Sequence, residues 1–371
     1  MAARNDSPDK NFPPVSPGAE RPVFSGVILT DSTPGRALLG NIEPGRSPAA
    51  GYFARPRHSG NIAGSRPAGS ERKMNQYKNI AVVGATGAVG VEMLETLAKR
   101  NFPVKSLRLL ASSRSAGKHM TYRGETIKVE ELTKDSFKGI DIALFSAGAS
   151  RSREFAQFAV DAGAVVVDNS SAFRMDPSVP LIVPEVNPED IKKHHGVIAN
   201  PNCTTIIMLV AIKPLYDLSP IKRIVVSTYQ SASGAGAKGM EELEQQTAAV
   251  LAGQPAVPQF FPHPYAFNLF SHNTAIQANG YNEEELKMVN ETRKIMHDDA
   301  IRVCPTCVRV PILRSHSEAI AIEQVRKVSV EEARAALAKA PGVKIVDDRE
   351  KNLFPMPCNS NGQYDVLVGR I

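Results

Sequence analysis

The sequence predicts an α/β fold: a parallel sheet covered on both faces, followed by an α+β unit. Three observations carry that prediction. First, short apolar runs at Ile80–Val83, Ile142–Phe145, Val165–Val167 and Leu181–Val183 alternate with stretches of helical period. These stretches are Val89–Arg100, with Val89, Met93 and Leu97 on one face, and Ser152–Ala162. Strands with no polar alternation are buried on both faces, and helical crossovers between them imply a parallel sheet. Second, a glycine turn, Gly84–Gly90, joins the first of these strands to the first helix. Third, the strict alternation ends near residue 203, where an α+β texture begins.

Residues 1–73 differ from the rest. Ten prolines and nine glycines fall there without strand or helix period. Such a stretch cannot bury enough apolar surface to offset the entropy of ordering, so disorder is expected. Its ten Lys/Arg against six Asp/Glu account for most of the net charge of +6. It has no apolar segment of the ~7–15 residues a secretory signal needs. Asp6, Asp9, Glu20 and Asp31 count against a transit peptide, so the stretch reads as an extension from a start codon upstream of Met74.

Residues 74–202 are expected to form the first domain and 203–371 the second. The second should contain a helix at Thr204–Tyr216, a strand at Arg223–Tyr229, a helix at Gly239–Leu251 and a strand-like run at Val308–Ile322. Ser329-Val330-Glu331-Glu332 is a capping box that opens a helix to Ala340. No apolar run approaches the ~18–20 residues that span a membrane. No basic run interleaves with aromatics, so dedicated nucleic-acid binding is not indicated. Four cysteines are too few for a disulfide scaffold and point to a reducing, cytoplasmic setting. Cys304-Pro305-Thr306-Cys307 has no second pair for a zinc site and reads as structural.

The glycine turn suits a dinucleotide. Gly84 permits the tight turn, Gly87 lets the backbone approach a pyrophosphate, and Gly90 allows close helix packing; Thr86, Ala88 and Val89 complete the surface at a helix N-terminus. This makes the first domain Rossmann-like, the alternative being an ordinary glycine-rich turn. The strand Leu107–Ala111 ends in Ser112-Ser113-Arg114-Ser115, where an NAD site would carry an acid. Ser112, Arg114 and Ser115 suit a 2′-phosphate instead, so the cofactor reads as NADP(H).

Cys203, in Asn200-Pro201-Asn202-Cys203-Thr204-Thr205, stands at a helix start, where the dipole favours thiolate. That placement alone leaves open whether it is catalytic or structural. A thiolate nucleophile wants a proton-transfer partner. Among eight histidines the candidate is His316, beside Arg309 and Arg314. His58, His194, His195, His263 and His272 read as satisfied or exposed side chains.

Together these residues resemble aspartate-semialdehyde dehydrogenases, from about Asn79 to Ile371. The motifs are GATGAVG (84–90), SSRSAGK (112–118), DNSSAFR (168–174), NPNCTT (200–205), TYQSASGAGAKGMEEL (228–243), NEEELKMVNETRKI (282–295) and CVRVPILRSHSEA (307–319). The resemblance implies that Cys203 attacks aspartyl phosphate, releasing phosphate and forming a thioester that is reduced to aspartate semialdehyde. It further implies His316 as general acid/base and Gln230 as the residue that positions substrate. Arg309 is implied to hold the substrate carboxylate. The resemblance likewise implies that Glu284 and Lys287 contact the substrate's amino group and phosphate, and Arg174 the phosphate. Asn202 and the Cys203 N–H are read, from position, as oxyanion donors. A homodimer is implied, with no nucleic-acid or membrane partner.

Relatives continue past Val366–Ile371 through another strand and a helix. The expectation is therefore an unpaired sheet edge, an exposed apolar face and a weakened cofactor site. Two other readings stand beside this one: an acyl-CoA or other acyl-phosphate reductase, and an inactive NADP-binding relative.

Overall fold

A computed structural model describes residues 77–371 and, as backbone, residues 23–30. The first elements are β1 (Val23–Thr30), β2 (Lys78–Val83), α1 (Ala88–Lys99), β3 (Val104–Ala111), β4 (His119–Tyr122), β5 (Glu125–Glu131) and β6 (Ile142–Phe145). Next come α2 (Ala149–Asp161), β7 (Val165–Asp168), β8 (Val197–Ala199), α3 (Cys203–Leu218), β9 (Ile221–Gln230), α4 (Ala237–Leu251) and β10 (Phe270–Ser271). The last are α5 (Glu283–Met296), β11 (Arg302–Arg309), β12 (His316–Gln324), α6 (Val330–Leu337), β13 (Val343–Ile345) and β14 (Val366–Gly369).

One sheet runs β4-β5-β3-β2-β6-β7-β8 and is parallel except for the β4–β5 hairpin. Ile80 and Val82 of β2 pack with Leu94 of α1 and Leu109. Ala81 and Val83 pack on the other face with Phe155, Ala156 and Ala159 of α2. Burying both faces explains why β2 has no polar alternation, and each large aliphatic side chain contributes about 1.5–3 kcal/mol. The chain leaves β2 for β3 on one side and returns to β6 on the other. This switch point opens a crevice at the C-terminal strand ends. Gly84 lies there with φ +87°, and a Cβ on it would stand 2.5 Å from Ser146 O. A Cβ on Gly90 would meet Gly84 O at 2.3 Å, so helix and turn approach as closely as glycine allows.

The second sheet, β10-β11-β9-β12-β1-β14-β13, mixes parallel and antiparallel pairs. Its inner face packs on Met208, Leu209 and Ile212 of α3, Met288 and Ile295 of α5, and Leu337 of α6. Along β9 the even-numbered Ile224, Val226, Thr228 and Gln230 are buried, while Val225 and Tyr229 on the outer face are each 40% exposed. The α6 capping box forms as expected, with Ser329 and Glu332 exchanging hydrogen bonds.

Several expectations need correction. Val23–Thr30 is a strand, not disordered: β12 and β14 satisfy its backbone groups, and this pairing outweighs the composition of the stretch. The remainder of 1–73 lies outside the described residues. With β1 in place, β12 and β14 are each paired on both sides, and the edges of this sheet are β10 and β13. Leu181–Val183 is buried but makes only a bridge from Leu181 to Ala199, because Pro180 and Pro184 bracket it. The run Val308–Ile322 divides into β11 and β12 at a loop through Pro311, closed by Ser315 at φ +73°. In α1 Leu94 replaces Val89 on the core face; Val89 is 42% exposed, since the first turn faces a cleft rather than the sheet.

Candidate active site

Sheet register sets the centre of the site. Arg309 lies opposite Gln230 in the parallel β11–β9 pair. The antiparallel β9–β12 register, with Ser317 opposite Tyr229, carries His316 to the other side of Gln230. Arg309, Gln230 and His316 therefore form one cross-strand rung on the inner face. All three are buried, and all line a cavity of about 930 Å³ with Arg174, Asn202, Cys203, Glu284 and Lys287. The eight residues read from sequence as catalytic or substrate-binding thus converge on one space.

Helix starts aim the rest. Asn202 caps α3 through Oδ1, which accepts from Thr204 N at 3.1 Å and Thr205 N at 3.5 Å. Its Nδ2 donates to Glu284 Oε1 at 2.9 Å. Both ends of that amide are engaged, which fixes Asn202 between the start of α3 and Glu284, with one of its two amide hydrogens donated to Glu284. On α5 a capping box between Asn282 and Glu285 fixes the first turn. Gln230 Nε2 donates to Glu284 Oε1 at 3.1 Å, and Lys287 Nζ to Glu284 Oε2 at 3.1 Å. Burial alone would raise Glu284, but His272, Lys287 and the amides of Asn202 and Gln230 together hold its carboxyl at about 2.

Glu291 was not singled out in the sequence. It pairs with Arg174 Nη1 at 3.1 Å and accepts the Asn202 N–H at 2.6 Å. It lies on the face of Glu284 and Lys287 at i+7, a spacing that sequence inspection could have used. His272 is a second omission: it is buried, lines the cavity, and burial followed by Arg309 lowers it to about 4. Its neighbour Asn273 accepts from Arg309 Nε at 3.4 Å.

The expected thiolate at Cys203 is not favoured by the protein's own groups. The side chain is open to the cavity, yet enclosure on its other sides, then Glu284, pushes the thiol up to about 12 against the pull of Arg174 and Arg309. His316 is lowered to about 4 by burial and then by Arg309, and is neutral at pH 7.

The dinucleotide turn and the loop after β3 share one edge, because Gly84 N and Ala85 N both donate to Leu110 O. The N-cap of α1, Gly87, is exposed and brings no side chain to its free N–H groups, so the turn fits a phosphate. Ala88 and Val89 reach the cavity. Ser112 and Arg114 are exposed and Ser115 half-buried, outside the cavity lining. Arg314 Nη1 lies 3.6 Å from Glu92 Oε1 of α1, an ion pair across the cleft. Cys304 and Cys307, three apart on β11, fall on opposite faces of the strand. A second cavity of about 870 Å³, behind α5, holds none of the expected site residues. Among the described residues no helix is long and apolar enough to cross a membrane.

Residues 79–194 match the semialdehyde dehydrogenase NAD binding domain, and residues 212–371 the semialdehyde dehydrogenase dimerisation domain. The chain is 59% identical over 292 residues to an aspartate-semialdehyde dehydrogenase of Synechocystis, covering 79% of this chain and 86% of the relative. It is 47% identical over 306 residues to that of Bacillus subtilis, covering 80% and 88%. Aspartate semialdehyde dehydrogenase II from Vibrio cholerae, solved in complex with ASA, superposes with a TM-score of 0.77 at 46% identity, covering 80% and 88%. Joined to the cysteine, the basic rung and the glycine turn, these likenesses identify the chain as a member of the aspartate-semialdehyde dehydrogenase family, oxidoreductases of amino-acid biosynthesis that bind a nicotinamide cofactor.

Proposed function

We propose that this chain reduces L-aspartyl 4-phosphate to L-aspartate 4-semialdehyde, with release of phosphate, through a thioester on Cys203. The observation that carries this reading is the charge inventory of one cavity. Three cations (Arg174, Lys287 and Arg309) and one ionised carboxylate (Glu284) surround a cysteine at a helix N-terminus. The substrate carries a carboxylate, an ammonium and a phosphate, which this set complements. Arg309 suits the carboxylate, since its planar fork can bind bidentately. Glu284 suits the ammonium, and Lys287 with Arg174 the phosphate. Gln230 Oε1 is buried with no partner among the described residues, which leaves an acceptor for substrate beside Glu284.

Gly84, Thr86, Gly87, Ala88, Val89 and Gly90 would hold the pyrophosphate, and Ser112, Arg114 and Ser115 favour NADP over NAD. When bound, the reduced nicotinamide supplies the hydride. The two sheets support a division at 74–202 and 203–371, with β1 added to the second unit. The half-exposed Val225 and Tyr229 on the outer sheet face support a homodimer, and the pathway a cytoplasmic setting. The test is phosphate-dependent reduction of NADP, with NAD run in parallel, by wild type and Cys203→Ala given aspartate semialdehyde. Loss of turnover in a folded mutant is expected. Undiminished turnover would sink the thioester mechanism.

A further inference from the structure

Four charged side chains of α5, Glu284, Lys287, Glu291 and Lys294, fall on one stripe of the helix, at i, i+3, i+7 and i+10. The first two line the cavity; the last two grip the chain around Arg174. Lys294 Nζ donates to the carbonyls of Arg174, Asp176 and Val179 at 2.7, 2.6 and 2.8 Å, which uses all three of its protons. Glu291, one turn earlier, takes the Arg174 side chain: Oε1 lies 3.1 Å from Nη1, and both groups are buried. Its other oxygen, Oε2, accepts the Asn202 N–H at 2.6 Å. Asn202 caps α3 and immediately precedes Cys203. One carboxylate thus bridges the guanidinium and the turn that presents the cysteine. Burial raises the Glu291 carboxyl above its ordinary value, against the pull of Arg174 and the Asn202 N–H. Arg174 Nη2 donates to Asn169 O at 3.0 Å, whereas Nε is buried with no partner among the described residues. The guanidinium is anchored at both Nη atoms and keeps a donor for an anion in the cavity that it lines.

We propose that Glu291 is a positioning residue that fixes Cys203 relative to the phosphate of the substrate, by holding Arg174 and the Asn202 N–H on one carboxylate. This deepens the thioester reading, on which it rests. Both partners of Glu291 are donors, so a carboxylate satisfies the two together, whereas an amide would turn its NH2 toward one of them. Glu291 itself touches no substrate in this scheme. It acts on the phosphate through Arg174 and on the thiol through the first turn of α3.

The test runs the reaction backwards on the full chain, in two stages. Without phosphate, the Cys203 thiol, aspartate semialdehyde and NADP yield the thioester, one NADPH and one proton, seen as a burst. With phosphate, the thioester is cleaved and turnover continues. Arg174→Met should raise the KM for phosphate by about tenfold or more, the scale of a lost charged hydrogen bond, and slow the burst far less. Glu291→Met, which removes both acceptors, should raise that KM as well and slow the burst by about tenfold to a hundredfold, the cost of a misplaced reacting group. Its KM for aspartate semialdehyde, held by Arg309 and Glu284, should stay within about twofold. Combined with Arg174→Met, it should raise the phosphate KM by no more than about threefold further, since it acts there through Arg174. Losses that multiply overturn the proposal, as does a burst in Glu291→Met as fast as in wild type. Equal rises in KM for both substrates would make Glu291 a general prop of the fold and overturn it too. Should Glu291→Met not fold alone, the double variant is apolar at both buried positions and must burst more slowly than Arg174→Met. A wild type with no burst would defeat the thioester reading and this assignment with it, whereas a wild-type burst indifferent to Glu291 defeats the assignment alone.

Discussion

Cys203 stands at the first turn of α3, where the helix dipole favours a thiolate, yet enclosure and the Glu284 carboxylate outweigh that effect and push the thiol up to about 12. The balance is testable one charge at a time. Glu284→Gln removes the anion and keeps the hydrogen-bonding shape, so the thiol pKa should fall. Alkylation of Cys203 by iodoacetamide at pH 8 should then quicken by about threefold to tenfold, a shift of up to about one pKa unit. Arg309→Met removes a cation and should slow it. Equal rates in both variants would show that burial alone sets the thiol. Where a motif framed a residue, as with Cys203 and His316, the sequence reading picked out a side chain that lines the cavity. His272 had no such frame; only the loop after β10 brings it to Arg309 and Glu284.

At the scale of elements, the rung beyond Arg309, Gln230 and His316 consists of Cys307, Thr228 and Glu318. Glu318 is fully buried, and neither carboxyl oxygen has a partner among the described residues. Burial raises its pKa well above the ordinary 4.5. A group whose folded pKa is raised contributes fully below its unfolded pKa and loses that contribution as pH rises toward the folded value. Wild type should therefore weaken relative to Glu318→Met as pH climbs from 5 to 9. By pH 9 the mutant should be more stable by at least about 1 kcal/mol, since apolar replacement of a buried charge is often favourable. Denaturant unfolding at pH 5, 7 and 9 measures this, and a gap that stays constant or narrows contradicts it.

On the scale of the whole molecule, β1 joins parts of the chain almost 300 residues apart in sequence: Val23–Thr30 pairs with β12 along its full length and with β14 at Val27–Leu29. Because β12 carries His316, this strand supports the site from behind. Ile28 lies opposite both Glu318 and Val368. Ile28→Pro deletes its N–H in a strand flanked on both sides, which a central position does not tolerate. The variant should melt at least about 2–4 °C lower, equivalent to roughly 1.5–3 kcal/mol for a chain of this length. A melting point unchanged from wild type would mean that β1 adds nothing to the sheet.

The sequence by itself determined the parallel sheet, the glycine turn and the helix start at Cys203; the cations that would serve an acidic substrate came from the family resemblance. The first three depend on local signals: apolar runs, glycines at close approaches and capping residues. Tertiary structure alone decided that Arg309, Gln230 and His316 share a rung, because register between distant strands is not written in any one of them. It likewise decided that Glu291 pairs with Arg174, that Asn202 is engaged at both ends, and that Val23–Thr30 belongs to the second sheet. In each case the deciding partner lies far along the chain, and burial makes the pairing matter by removing water as the alternative partner.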